Sequence, residues 1–448
     1  MTTRLDLLLA GRLSSVALTE ELLTEVERTA GLGAFITIAD RAPDLAHAAD
    51  HSERTGPLHG LPVVVKDNIH VAGMPSTAGT PGLSEFVPST DAVVVARLRA
   101  AGAFVLGKTN MHELALGATS ANAAFGPVHN PADPTRFAGG SSGGTAAAIA
   151  AGAAVAGLGT DTGGSVRVPS ALTGIAGLRP TTGRYPGSGV TPVSTTRDTV
   201  GPMAATVSGL IALDTVLAAD LSSTEPPEPS ALTLGVPDSY FTSPLAPETE
   251  VVWEHCLEVL RRAGVTLVPV HVEGFETIER DIGFPITFYE MARSLPDYLA
   301  KTGIGLAELA SRIASPDVRS IVGSIVDGAV TTEVYERALL LREQRLIGGY
   351  RRIFATSAVD ALVFPTTPLP AGRLDRDTTE VLLDGRRLPT FETYIRNTGP
   401  GSIAGLPGVT VPVPTAGLPV GLALDGPWGD DRRLLGIASL VERLLSPA

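Results

Sequence analysis

Residues 139–167 read GGSSGGTAAAIAAGAAVAGLGTDTGGSVR and set Ser141, Ser142 and Ser165 among glycines. A serine hydroxyl is a poor nucleophile until a base takes its proton. The usual base is histidine, and this stretch contains none. Two pattern matches point elsewhere. Gly102 to Thr109, GAFVLGKT, satisfies the phosphate-loop pattern. Its middle residues are those of a buried strand, whereas a phosphate loop needs a pliable turn. Gly140 to Gly144, GSSGG, satisfies the nucleophile-elbow pattern with Ser142 as nucleophile. An elbow needs an apolar strand just before it, and NPADPTRFA at 130–138 carries two prolines and no such strand. His255 and His271 sit in a helix-like and a strand-like run without motif context. Lysine is the other base. Lys66 ends the apolar run LPVVVK, and desolvation favours the neutral amine over the ammonium, whose ordinary pKa is about 10.4. Its local sequence also fits a surface lysine at a strand end.

The elements that must position these residues alternate. LPVVVK (61–66) and AFVLGK (103–108) read as buried strands, and DAVVVARLRAAG (91–102) as a helix closed by Gly102. VALTEELLTEVERTA (16–30) has helical spacing, with Glu20 and Glu21 after Thr19 in its first turn. TAAAIAAGAAVA (145–156) is apolar all round and predicts a helix without a solvent face. Alternating strands and helices predict an α/β fold around an internal sheet. After the break PPEPS (226–230), residues 231–355 are more charged and more helical, a peripheral layer on one core. ALVFPTTPLP (361–370) and LPGVTVPVP (406–414) return to strands, so 356–448 rejoins the core sheet and 1–448 forms a single domain.

Composition excludes several classes. Hydrophobic residues make up 44% and charged residues 18%, enough apolar material for a large core. The net charge is −13 with no basic run, so neither nucleic acid nor an anionic membrane is an expected partner. The single cysteine, Cys256, rules out an internal disulfide and reads as a buried helix residue. No apolar run is long enough to span a bilayer, and a cytoplasmic protein, monomer or homodimer, is expected. No Cys/His cluster has metal-ligand spacing, and no cofactor is expected.

GLPVVVKDNIHVAGMPSTAGT (60–80), GGSSGG (139–144) and GTDTGGSVRVPS (159–170) together resemble the amidase signature family. Ser141 follows Lys66 by 75 residues and Ser165 follows Ser141 by 24, which matches that family's Lys–Ser–Ser triad. GKTNMHELALG (107–117), HNPADPTR (129–136) and GLRPTTGR (177–184) also resemble family segments. The likeness is dense over 56–210, thinner over 355–448 and poor between. It implies a large mixed, mostly parallel central sheet covered by helices on both faces. It implies that Ser165 is the nucleophile and that Ser141, after a cis Gly140–Ser141 bond, relays its proton to Lys66. The backbone N–H groups of Thr162, Gly163, Gly164 and Ser165 would form the oxyanion hole. Asp161 and Arg167 would brace that loop, and Ser142 would neighbour the triad. An acyl-enzyme route to hydrolysis of an amide follows.

GRYPGSGVTPVSTTRDTVGPM (183–203) and GPGSIAGLPGVTVPVP (399–414) look most like the branch of mandelamide and indoleacetamide hydrolases. That likeness implies a small aryl-bearing amide, with Phe284, Phe288, Tyr289 and Met291 as candidate pocket residues. Carbamates (urethanes), anilides and esters are alternative substrates of the same chemistry. The glutaminyl-tRNA amidotransferase branch tends to read S-I-R-Q-P-A at the nucleophile, and Val168 and Ser170 depart from it here. A non-catalytic scaffold fits least, since all three triad residues are present.

Overall fold

Strand Pro62–Lys66 is buried at every position. A strand without a polar face belongs inside a sheet covered on both sides. In the computed structural model, which describes residues 3–446 apart from 273, 329 and 377, it lies in parallel between Phe104–Thr109 and Ala156–Asp161. The full sheet has eleven strands, in the order Phe35–Ile38, Phe104–Thr109, Pro62–Lys66, Ala156–Asp161, Thr199–Ala204, Ala176–Arg179, Gly408–Val413, Val420–Asp425, Ala361–Pro365, Thr233–Pro237 and Thr266–Val270. The sheet is large and mixed. Parallel pairs form two blocks, one around Pro62–Lys66 and one around Thr233–Pro237. Antiparallel pairs join the blocks through the centre and add Phe35–Ile38 at the edge. Parallel character therefore belongs to the two blocks and not to the middle of the sheet.

Successive side chains on a strand face opposite ways. Ala361, Val363, Leu422 and Leu424 enter one apolar cluster, closed by helices Pro247–Arg262 and Asp431–Leu445. Leu362, Phe364 and Ala423 enter another, closed by helices Phe284–Leu299, Thr332–Leu341 and Gly348–Ser357. Helices thus cover both faces. Two strands from 231–355 enter the same sheet, so this mainly helical stretch shares the core.

Local expectations meet tertiary structure in several places. The helix expected over 145–156 stops at Ala150, and residues 156–161 are a strand. That strand pairs with Pro62–Lys66 on one side and Thr199–Ala204 on the other, and this pairing overrides a helix-like run of small residues. The first long helix is Ser15–Arg28, capped by Ser14 Oγ, which accepts from Ala17 N at 3.1 Å. Thr19 falls in the second turn and its hydroxyl donates to Ser15 O, so the first turn carries no acid. Residues 133–137 do form a strand, but a half-exposed one paired with His129–Asn130 and not the apolar strand of an elbow. Cys256 is buried, and burial pushes its thiol up to about 12. Among the described residues no helix is long and apolar enough to cross a membrane, and no cluster of three or more His, Cys, Asp or Glu could hold a metal.

The phosphate-loop match dissolves in the same way. Phe104–Thr109 is a buried strand. Lys108 Nζ lies 3.1 Å from Asp67 Oδ1, with both side chains 0% exposed, and donates to Pro75 O at 3.0 Å. Removing one partner of such a pair leaves an uncompensated buried charge. Lys108→Met is expected to lower stability by about 3–5 kcal/mol in urea unfolding. Arg262→Ala, which breaks an exposed pair with Glu258, should leave the midpoint in place. Equal midpoints for the two variants would show that the buried pair supports nothing.

Candidate active site

Lys66 is the last residue of its strand and is wholly buried. Its Nζ donates to Ser141 Oγ at 2.7 Å and to Thr160 Oγ1 at 2.8 Å. Thr160 stands on the neighbouring strand, and Asn68 Nδ2 donates to the same hydroxyl at 3.1 Å. Burial brings the Lys66 amine down to about 7, against the opposing pull of Asp161 and Asp198. Near neutral pH a large share of this amine is therefore free base.

The Gly140–Ser141 peptide is cis. The carbonyl of Ser141 accepts from His112 N at 3.1 Å and from Ser120 Oγ at 3.4 Å. Gly140 lies so close to residues 118–120 that a Cβ would sit 2.9 Å from their backbone. Ser142 Oγ donates to Thr160 O and accepts from Thr160 N, both at 3.3 Å. This pins the start of helix Gly143–Ala150 to strand Ala156–Asp161. Ser142 N donates to Ser165 O at 3.1 Å and ties the two serine segments together. Ser141 and Ser142 are fully buried, while Ser165 is half-buried.

Residues 162–165 leave the end of strand Ala156–Asp161 as a loop. Among the described residues, no protein acceptor takes the N–H groups of Thr162, Gly163, Gly164 or Ser165. The loop is held from behind. Thr162 Oγ1 donates to Asp198 Oδ1 at 2.6 Å, and Thr398 Oγ1 donates to Gly163 O at 2.7 Å. Gly164 has φ +139°, and a Cβ there would meet Thr398 Oγ1 at 2.1 Å, so no other residue fits. Asp161 Oδ2 accepts from Val166 N at 3.2 Å and from Arg167 Nε at 3.1 Å. Arg179 Nη1 reaches Asp161 Oδ1 at 3.2 Å. Burial opposes the charge on Asp161, but Arg167 and Arg179 together outweigh it and hold the carboxyl below the usual range. Asp161 and Arg167 are both wholly buried and join the two ends of the loop.

The four expected pocket residues divide. Phe284 and Phe288 stack with ring centroids 5.9 Å apart, and Phe391 stacks on Phe284 at 6.2 Å. Phe391 belongs to helix Thr390–Ile395. Ile395 Cδ1 would lie 3.8 Å from a Cβ on Gly163, so this helix brings the aromatic group to the loop. Tyr289 turns away, stacking on Tyr335 at 4.0 Å beneath the Arg293 guanidinium. Met291 is 1% exposed in the cluster with Leu295, Val318 and Val322. It shares a helix face with Phe284, but seven residues place it about 10 Å further along the axis, over a different neighbour. Tyr289 and Met291 therefore pack on other neighbours than the stacked rings of Phe284 and Phe391.

Sequence reasoning missed Thr160, Asn68, Asp198, Phe391, Ile395 and Thr398 as members of this site. Thr160 and Asn68 stand inside the segments GTDTGGS and KDN, where the signal was present. Thr398 and Ile395 carry no local signal. His255 is exposed on helix Pro247–Arg262, and His271 is exposed and paired with Asp238, so neither serves these serines.

The family model described as Amidase matches residues 17–435. Indoleacetamide hydrolase of Rhizobium radiobacter is 37% identical over 442 residues, covering 96% of this chain and 94% of that protein. Mandelamide hydrolase of Pseudomonas putida is 38% identical over 459 residues, covering 97% and 89%. A crystal structure of an amidase superposes with a TM-score of 0.87 at 34% identity, over 98% of both chains. A match of this extent in sequence and in fold leaves one assignment: the chain belongs to the amidase family and is a hydrolase of carbon–nitrogen bonds in linear amides other than peptide bonds.

Proposed function

We propose that this amidase works through an acyl-enzyme on Ser165, with Ser141 and Lys66 moving the proton, on small amides that carry an aromatic acyl group. The observation that carries the reading is the 2.7 Å contact between Ser141 Oγ and a buried lysine amine lowered to about 7. A neutral amine keeps one lone pair. While it donates to Thr160, it accepts the proton of Ser141. Ser141 then takes the proton of Ser165 as Ser165 Oγ bonds to the substrate carbonyl carbon.

The carbonyl oxygen becomes an oxyanion in this step. Among the described residues the N–H groups of residues 162–165 have no other acceptor, and they would receive it. Each such donor is worth about 3 kcal/mol. On collapse the carbon–nitrogen bond breaks, and the proton passes from Lys66 through Ser141 to the leaving nitrogen. Water then attacks the acyl ester, gives its proton back along the same path, and releases the acid and a free Ser165. Two features support an aromatic acyl group. The relatives named above are hydrolases of indoleacetamide and mandelamide. The stacked rings of Phe284, Phe288 and Phe391 stand next to the helix that reaches Gly163.

Ser165→Ala is expected to fold normally and to retain less than about a hundredth of the amide hydrolysis, since loss of a nucleophile usually costs far more. A higher residual rate in a steady-state assay would exclude the covalent route.

Lys66→Ala should suppress amide turnover far more than turnover of an activated ester, whose leaving group needs little protonation. In the wild-type enzyme kcat/KM should rise with pH through about 7 and then level, because the neutral amine is the working form. Stability should follow the same group. Between about 7 and 10.5 the unfolded chain holds a proton here that the folded chain does not, so stability rises with pH across that window. A rate that climbs only near 10.5 would contradict a desolvated base.

Phenylacetamide should exceed acetamide in kcat/KM by roughly a hundredfold, because burying a ring at about 25 cal/mol per Å² contributes a few kcal/mol. Equal values for the two amides would end the aromatic assignment.

A further inference from the structure

Arg197 is 3% exposed and lies beside the loop at 162–165. Half of its guanidinium is committed. Nη1 donates to Gly283 O and to Thr287 Oγ1, both at 2.9 Å. The other half is not. Among the described residues Nη2 has no hydrogen-bond partner, and its nearest carboxylate oxygen, Glu279 Oε1, is 3.7 Å away. The fully buried nitrogen without a partner is Nε; Nη2 is not fully enclosed, and a ligand that supplies an acceptor there would pair a cationic N–H.

The position of Nη2 says where that acceptor would sit. A Cβ built on Gly163 would meet only two groups within 4 Å, Arg197 Nη2 at 3.6 Å and Ile395 Cδ1 at 3.8 Å. The space over Gly163 is thus bounded by a charged donor on one side and a methyl group on the other. In the reading proposed above, on which this inference rests, the Gly163 N–H faces the substrate carbonyl oxygen. The substrate atoms over Gly163 are then the carbonyl carbon and its acyl neighbour.

We infer that Arg197 Nη2 is a specificity-determining donor that recognises a neutral oxygen, a hydroxyl or an oxo group, on the carbon next to the reacting carbonyl. Glu279 decides between a neutral and an anionic oxygen. Its carboxyl faces Arg197 and has both oxygens buried without hydrogen bonds. Burial favours its neutral form and Arg197 favours its carboxylate; as a carboxylate it repels a second carboxylate at Nη2 but not a hydroxyl oxygen. An amide lacking the oxygen leaves Nη2 unpaired, and sites built to hydrogen-bond a substrate group discriminate strongly against analogues without it.

The test compares mandelamide with phenylacetamide, which share a ring and differ by one α-hydroxyl. Wild-type enzyme is expected to favour mandelamide in kcat/KM by roughly tenfold or more. Arg197→Met should bring the ratio to within about threefold, by losing far more rate on mandelamide than on phenylacetamide. Arg197→Lys, which keeps a cationic donor, should fall between. Labelling of Ser165 by a fluorophosphonate reports that each variant has an assembled site. A wild-type ratio near one overturns the inference, and so does an equal loss on both amides in Arg197→Met. If Arg197→Met is not labelled, Arg197→Lys decides by the same ratio. If neither is labelled, Arg197 is a structural support and the inference fails. Wild-type enzyme that is not labelled, or that turns over neither amide, fails the acyl-enzyme reading itself.

Discussion

The burial of one amine governs this molecule. Lys66 sits at the end of a fully buried strand with a strand on either side, and desolvation removes most of the preference of its nitrogen for a proton. Such a group adds nothing to stability near neutral pH; the unfolded chain binds the proton better. The fold must therefore hold the lysine in place with other interactions. Eleven strands, with helices on both faces, provide them. The oxygens of Ser141 and Thr160 provide the polar partners that a neutral amine still needs.

Charge placement around this amine is a matter of competition. Asp161 and Asp198 both pull the Lys66 pKa upward, yet burial wins. The reason for Asp161 is visible in its partners. Arg167 and Arg179 lie within 3.2 Å of it, so its negative charge is already matched by two guanidinium groups. Asp198 is occupied as well, accepting from Thr162 Oγ1 and from the backbone of Val193 and Ser194. Unit charges 4 Å apart interact by about 4 kcal/mol at an effective dielectric of 20, enough to restore the ammonium if either carboxylate faced Lys66 unpaired. The same pairings fix the loop at 162–165, so one set of contacts shapes the loop and occupies the two carboxylates that pull on Lys66.

The open face of that loop is bounded by chain segments from far apart in sequence. Thr398 holds Gly163 from one side, while Ile395 and Arg197 flank the space above it. Phe284 and Phe391 come from separate helices and stack on each other, and Ile395 of the Phe391 helix reaches Gly163. Lys66, Ser141 and Thr160 are thus held by strands 62–66 and 156–161 and the segment between. The walls that would select a substrate come mainly from 197, 284–288 and 391–398.

By itself the sequence located Lys66, the two serines and the elements that carry them. A valine run ending in lysine can only be a buried strand or a strand end, and glycines around serines fit only a tight loop. These are local properties, set by side-chain shape, backbone freedom and apolar period, and the motif spacing bound them into one family. Tertiary structure decided the rest. The helix expected over 145–156 ends at Ala150, and Ala156 instead opens a strand because two partners pair with that strand. Phe284 and Met291 share a helix face, yet only Phe284 stacks within the aromatic group beside the loop, since height along a helix relative to its neighbours is not written in its period. Thr398 reaches Gly163 across 235 residues. No local pattern encodes such a contact, because it exists only after two distant segments have been brought together by the packing of the sheet.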